Sequence, residues 1–410
     1  MKTVAVIGGG VIGAACAYSL VNAGYQVTII DQKQFGHGSS HGNCGLILPS
    51  HVLPLNMPGT LYKSIKWIMD KDAPLYLKPR IDLELWQWFI KFIRHCNQAD
   101  MMRAAAGSFE LLKDSVQLFD ELIHNEQMDC DWHKNGVVYA FSDPHELAAY
   151  QEIFALVRMF LDDGVRMDHR QLRELVPYVK SNLAGAYFYR SCAHLRPDRF
   201  MREYRRVLLK LGVQIIENQP IGILDIRENR MVSVGNENLT VKADQFVFAT
   251  GAWTTLLRKK LKLPVCIQPG KGYSLTTDAE TSASGTPCMF EDVRVVATPW
   301  TSGFRLGGTM EFSGFDETIN EKRMLSLAKG AQKFMNQTID LRLFEGWIGW
   351  RPMTFSGLPM IDFLPRLNNS VIAAGHNMLG LTMAIRTGML VTEMLTGQTP
   401  TVDMKPFKIA

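Results

Sequence analysis

The sequence predicts an α/β fold: a three-layer domain, discontinuous along the chain, with an inserted α+β domain carrying a mixed or antiparallel sheet. Three observations carry this expectation. Strand-like and helix-like segments alternate at both ends of the chain, as in parallel-sheet architectures. Residues 52–185 are instead rich in long amphipathic helices, such as 83–96 and 108–125. Residues 262–345 return to alternating strand patterns. The expected division is therefore 1–51, 186–261 and 346–410 for the first domain, and 52–185 with 262–345 for the second.

Taken in order, residues 4–7 read as a short buried strand, 11–23 as a helix and 26–30 as a second strand. Residues 198–211 read as a helix leading into the strand 213–217. A hairpin comes next over 221–226 and 231–234, then a buried strand, 245–249, runs into Thr250-Gly251. Near the end a strand over 371–374 feeds a helix over 381–395, which Gly397 and Pro400 stop.

Composition removes several classes of function. The chain has 44 basic and 40 acidic side chains and no dense Lys/Arg run, so it lacks a nucleic-acid footprint. Its seven cysteines are scattered and never form a CxxC pair, which speaks against a disulfide framework or zinc site and for a reducing compartment. Residues 3–30 carry no formal charge and superficially mimic a signal peptide or membrane span. Their patterned glycines and strand-then-helix periodicity read as a folded motif instead.

That motif is Val6-Ile7-Gly8-Gly9-Gly10-Val11-Ile12-Gly13, with Asp31 closing the next strand and Gln32 beside it. Gly8 permits the tight strand-to-helix turn, Gly10 a close backbone approach to a pyrophosphate, and Gly13 close packing of helix on sheet. The helix N-terminus then holds phosphates, and Asp31 is placed to accept ribose hydroxyls. The loop after Asp31 separates FAD from NAD. It is small and polar, contains Ser39, Ser40, Asn43, Cys44, Gly45 and Leu46, and suits a long extended cofactor. No second glycine fingerprint, cysteine pair or P-loop is present.

Three further motifs extend the site. The buried run ending at Thr250, Gly251 and Trp253 places backbone near the adenine side. Gly375-His376 with Gly380, Leu381 and Thr382 opens a helix whose dipole would stabilise an anionic reduced flavin. Arg351, in Gly349-Trp350-Arg351-Pro352-Met353-Thr354, suits bidentate capture of a carboxylate.

In this order the motifs resemble the D-amino acid oxidase superfamily, most closely the bacterial D-amino acid dehydrogenases, nearly end to end. Met57-Pro58-Gly59, Ile65-Lys66-Trp67, Ala73-Pro74-Leu75 and Lys271-Gly272-Tyr273-Ser274-Leu275 also fit that pattern. The resemblance implies a FAD-binding Rossmann-like domain beside a substrate domain. It implies noncovalent FAD, and oxidation of an amino acid by hydride transfer from the α-carbon to flavin N5, giving a 2-oxo acid and ammonia. By position it makes Arg351 the carboxylate clamp and Tyr273 a second substrate contact. Some relatives bind FAD covalently through a histidine three residues before this loop's glycine; here His41 stands four before Gly45. Secondary-amine enzymes of the same superfamily, acting on D-proline, D-hydroxyproline, sarcosine or glycine, are the alternative. A flavin-binding subunit without turnover is a third reading, against which Arg351 speaks.

The resemblance also implies a quinone or other non-oxygen electron acceptor and a cytoplasmic protein, peripheral on the inner face of the membrane. Residues 61–96 interleave Trp67, Trp86, Trp88, Phe89 and Phe92 with Lys63, Lys66, Lys71, Lys91 and Arg94, as an interfacial surface would. Helices packing their aromatic face on the substrate domain give the same pattern.

Overall fold

The computed structural model describes residues 1–60, 75–278 and 285–409. Six strands form one sheet, in the order Met360–Phe363, Ser370–Ala374, Gln245–Phe248, Thr3–Ile7, Gln26–Ile30 and Gln214–Ile216. All neighbours are parallel except Met360–Phe363 on the edge. The first strand of the chain is thus central. Its successors Gln26–Ile30 and Gln245–Phe248 lie on opposite sides, which opens a crevice at the carboxyl ends of the strands.

Strand alternation divides this sheet's side chains between two layers. Val4, Val6 and Val247 face the helices, in one core with Ala14, Ala15, Ala384 and Val391. Ala5, Ile7, Phe246 and Phe248 face the other way, onto Met231 and Val234. Those two belong to an antiparallel meander of Ile223–Arg227, Arg230–Gly235 and Thr240–Lys242. On the helical side, Val11–Asn22 and Gly380–Thr396 cross closely: a Cβ on Gly388 would stand 2.4 Å from the Ala15 carbonyl oxygen. Gly397, at φ 78°, ends the second helix as its sequence requires.

A nine-stranded mixed sheet forms the second body. Glu345–Thr354, Ile267–Thr277, Gly303–Phe312, Val295–Trp300 and Cys288–Phe290 run antiparallel to their neighbours. Val137–Phe141 joins parallel to Cys288–Phe290, then come Gly185–Tyr189 and Gly164–Met167, while Leu75–Leu77 pairs with Gly303–Phe312. The expected boundaries at 186 and 346 cut within Gly185–Tyr189 and Glu345–Thr354, and hydrogen bonding places both strands wholly in this sheet.

The helix expected over 108–125 is two, Gln98–Leu112 and Ser115–Asn125. Asp114 sits between them at φ −102° and ψ 8°, its carboxylate held by Arg386 at 2.6 Å. Of the aromatic and basic stretch 61–96, residues 61–74, with Lys63, Lys66, Trp67 and Lys71, lie outside the described residues. So do Ile65 and Ala73-Pro74. The helix Leu83–Arg94 is capped by Asp82, which accepts from the Leu85 N–H at 3.0 Å. It buries Leu85 and Trp88 and exposes Leu83, Trp86, Ile90 and Ile93. No helix among the described residues is long and apolar enough to cross a membrane.

Candidate active site

The crevice continues into a cavity of about 1390 Å³ bounded by both sheets. At its first end the chain turns at Gly8, whose φ of +109° and approach to Ala249 leave no room for a side chain: a Cβ would lie 2.4 Å from the Ala249 oxygen. Gly13 is equally constrained, since its Cβ would lie 1.8 Å from the Gly8 oxygen. Gly10 caps the helix without a side-chain bond, and no carboxylate stands in the first turn, so no formal charge of that turn offsets the positive end at the cavity. Asp31 accepts from the backbone N–H groups of Gly9 (2.6 Å) and Lys33 (2.8 Å), which fixes its carboxylate at the cavity wall. Burial raises its pKa, and those two N–H bonds counteract the rise.

The stretch after Asp31 is tied down on all sides. Ser39 Oγ donates to the Trp350 carbonyl at 2.5 Å, and Ser40 Oγ accepts from the Val11 N–H at 2.9 Å. Asn43 bonds the carbonyls of Ser39 and Ser40 and the N–H of Gly45. Arg305, buried in the strand Gly303–Phe312, donates to the carbonyls of His41 (3.1 Å) and Asn43 (2.7 Å) and lies over the Trp300 ring. Thr298 Oγ1 donates to the Cys44 carbonyl at 2.8 Å. The second sheet therefore grips the loop that lines the cavity. Sequence reasoning missed Arg305; the available signal was a cation inside an alternating strand, which a core tolerates only when it is bonded.

At the far end, Gly375 (φ +82°) turns the chain out of the strand Ser370–Ala374. Asn377 then locks the turn, accepting from the Thr354 N–H at 2.8 Å and donating to the Gly357 carbonyl at 3.0 Å. The helix Gly380–Thr396 has no side-chain cap and no acid in its first turn, and Gly380 and Leu381 present that end to the cavity. His376 also lines the cavity. Its Nε2 lies 3.1 Å from Thr387 Oγ1, and burial lowers its pKa to about 3, so it is neutral.

Among the other expected cofactor residues, Val11, Ile12, Gln32, Leu46, Thr250, Gly251 and Trp253 all line the cavity. Gly13, Gly375 and Thr382 stand behind its wall. Thr382 Oγ1 accepts from the Leu48 N–H and donates to the Leu46 carbonyl, which positions the short strand Leu46–Ile47. The two helix ends without an acid in their first turns, the glycine turn and the cavity they line fit an extended dinucleotide such as FAD.

Arg351 and Tyr273 both line the cavity, but their side chains leave the sheet on opposite faces. Arg351 lines the cavity, and its Nη1 donates to the Thr309 carbonyl at 2.9 Å. Its guanidinium lies against Gly272, where a Cβ would be 2.2 Å from Nη1. Among the described residues it has no carboxylate partner. Burial lowers its pKa. Tyr273, one residue from Gly272, belongs to the opposite face of the sheet and packs in a core with Leu275, Met324 and Leu327. Its hydroxyl donates to Glu311 at 2.8 Å, on the other side of the sheet from the Arg351 guanidinium. A one-residue step in a strand reverses the face, and no sequence signal here settles the register.

A family model described as FAD dependent oxidoreductase matches residues 3–394. The chain is 29% identical over 408 residues to a D-amino acid dehydrogenase of Vibrio vulnificus, covering 97% of this chain and 96% of that one. It is 26% identical to a D-amino acid dehydrogenase of Helicobacter pylori over 397 residues, with 96% and 94% covered. Among solved structures, glycine oxidase from Geobacillus kaustophilus superposes with a TM-score of 0.80 at 18% identity, over 100% of this chain and 99% of that chain. L-Proline dehydrogenase from P. horikoshii gives 0.73 at 18% identity, over 99% and 97%.

Proposed function

Because the chain belongs to the FAD-dependent oxidoreductase family, we propose that it oxidises D-amino acids to 2-oxo acids and ammonia. Arg351 carries this reading: a cation facing the cavity with no carboxylate of the described chain to meet it requires an anion from outside. The substrate carboxylate supplies that anion. When bound, the flavin supplies the two-electron acceptor. The chain's own part is to hold the substrate by its carboxylate, to exclude water with the apolar cavity wall, and to keep His376 neutral beside the cofactor. The similarity to D-amino acid dehydrogenases favours the D-configuration, and no protein nucleophile is required.

In this reading the six-stranded sheet with its helices holds the cofactor noncovalently, and the nine-stranded sheet holds the substrate. A quinone or other non-oxygen acceptor would take the electrons. The exposed Leu83, Trp86, Ile90 and Ile93, with Lys91 and Arg94 on the same helix, are the surface that would rest on the inner face of the cytoplasmic membrane.

Anaerobic flavin bleaching across a panel of D- and L-amino acids, D-proline, sarcosine and glycine tests the reading. D-amino acids should bleach the flavin and their L-enantiomers should not. Bleaching confined to the secondary amines or glycine would replace it with the alternative chemistry of the same superfamily. Reoxidation by quinone rather than air, and release of the protein from membranes by a salt wash, test the acceptor and the location.

A further inference from the structure

The cavity has a second polar wall that the Arg351 clamp does not use. We propose that Arg294 on this wall receives the end of the substrate side chain, selecting D-amino acids that carry a carboxylate or amide oxygen there. The proposal rests on the function just given.

Arg294, Glu291, His51 and Tyr139 all line the cavity, whose neighbouring wall is apolar at Met289, Val296 and Ile153. Their position relative to the clamp comes from strand register. Arg351 is anchored on the Thr309 carbonyl. The preceding residue, Gly308, pairs with Val295, and a Cβ on it would stand 2.7 Å from the Arg294 oxygen. The Arg351 guanidinium thus reaches the strand Gly303–Phe312 one residue from where the Arg294 backbone meets it, and both arginines line the one cavity. Arg294 also has left-handed backbone geometry, φ 53° and ψ 44°, where it ends the turn Glu291–Val293. A large side chain held there is strained, and such strain concentrates at ligand sites.

Charge decides which end group fits. Glu291 Oε2 accepts from Arg294 Nη1, and of this pair the Glu291 side chain is buried, 5% exposed, while the Arg294 side chain is 44% exposed. Both groups reach the cavity, and the more exposed Arg294 side chain offers it the larger share of polar surface, all of it donors. A guanidinium has five N–H donors, and the bond to Glu291 uses Nη1, so Nε and Nη2 are left for a ligand. Beside them, His51 Nδ1 lies 3.3 Å from the Tyr139 hydroxyl, and burial keeps this histidine neutral, with a pKa of about 4. An acceptor oxygen meets complementary groups here. A cationic side chain would meet Arg294.

The test compares kcat/KM of the holoenzyme for D-glutamate and D-glutamine with that for D-norvaline, which has a side chain of similar length and no oxygen. A preference of about tenfold or more is expected, because an apolar end leaves the donors unpaired. Arg294→Ala should collapse the ratio towards one, and Arg294→Lys should restore it for D-glutamate. If Arg294→Ala does not retain flavin, Arg294→Gln serves, judged by the same D-glutamate to D-norvaline ratio. Equal or better turnover of D-norvaline by the wild type, or an unchanged ratio in the Arg294 variants, would overturn the subsite and leave D-amino acid oxidation standing. Failure of every D-amino acid to bleach the flavin would overturn both.

Discussion

Arg351 and the buried histidines show how single groups set the chemistry of the cavity. Removing the clamp should cost about 2–5 kcal/mol of interaction with the substrate carboxylate, the usual loss at a desolvated charge pair. Arg351→Ala should therefore lower kcat/KM by roughly thirtyfold or more, with the flavin absorption spectrum retained; unchanged kinetics for carboxylate substrates would remove Arg351 from the site. Gly272→Ala should act in the same direction without touching the charge, since its new Cβ would displace the guanidinium it now lies against. A second prediction concerns pH. Burial lowers His194 and His376 to about 3 and His51 to about 4, so each stays neutral in the folded chain. As pH falls below about 6.5, the unfolded chain takes up protons that the folded chain refuses, and stability drops by roughly 2 kcal/mol per such group by pH 5. Urea midpoints at pH 7 and pH 5 measure this, and His376→Gln should flatten the slope by one group's share. Arg351 is legible from its flanking motif. The facing of Tyr273 is not, because a strand sequence leaves unstated which side its partner helix lies on.

At the scale of elements, the close crossing of two helices and the grip on one loop are the exacting features. Gly388→Val would force a side chain into the Ala15 backbone and should destabilise the protein by about 1–3 kcal/mol, read as a lower Tm. Arg305→Ala would free the carbonyls of His41 and Asn43 from a buried cation. Bonds to charged groups contribute about 1.5–3 kcal/mol each, so FAD affinity should fall roughly ten- to a hundredfold, measurable by recovery of flavin fluorescence on dilution. Element types are well marked in the sequence by glycine turns and periodicity. The break at Asp114 is not, and the side chain that holds Asp114 there, Arg386, stands 272 residues away.

Across the whole molecule, the alternation of strands and helices marks the cofactor half of the fold, but not where the chain passes between sheets. The boundaries expected at 186 and 346 fall inside Gly185–Tyr189 and Glu345–Thr354, whose pairing partners lie in the other sheet. The cavity spans both bodies, so saturating FAD should raise the melting temperature of a single shared transition. Two separated transitions, with only one responding to FAD, would show that the bodies unfold independently.

The grip on residues 39–45 also has a consequence in time. Ser39 is held by Trp350, His41 and Asn43 by Arg305, and Cys44 by Thr298, all made more than 250 residues later. On a ribosome the glycine turn emerges early, while the parts that close its pocket are still unmade. At about 5–20 residues per second, that interval lasts tens of seconds. Vitamin loading is therefore a late event in the life of each chain, and a stalled nascent chain ending before residue 298 should emerge colourless.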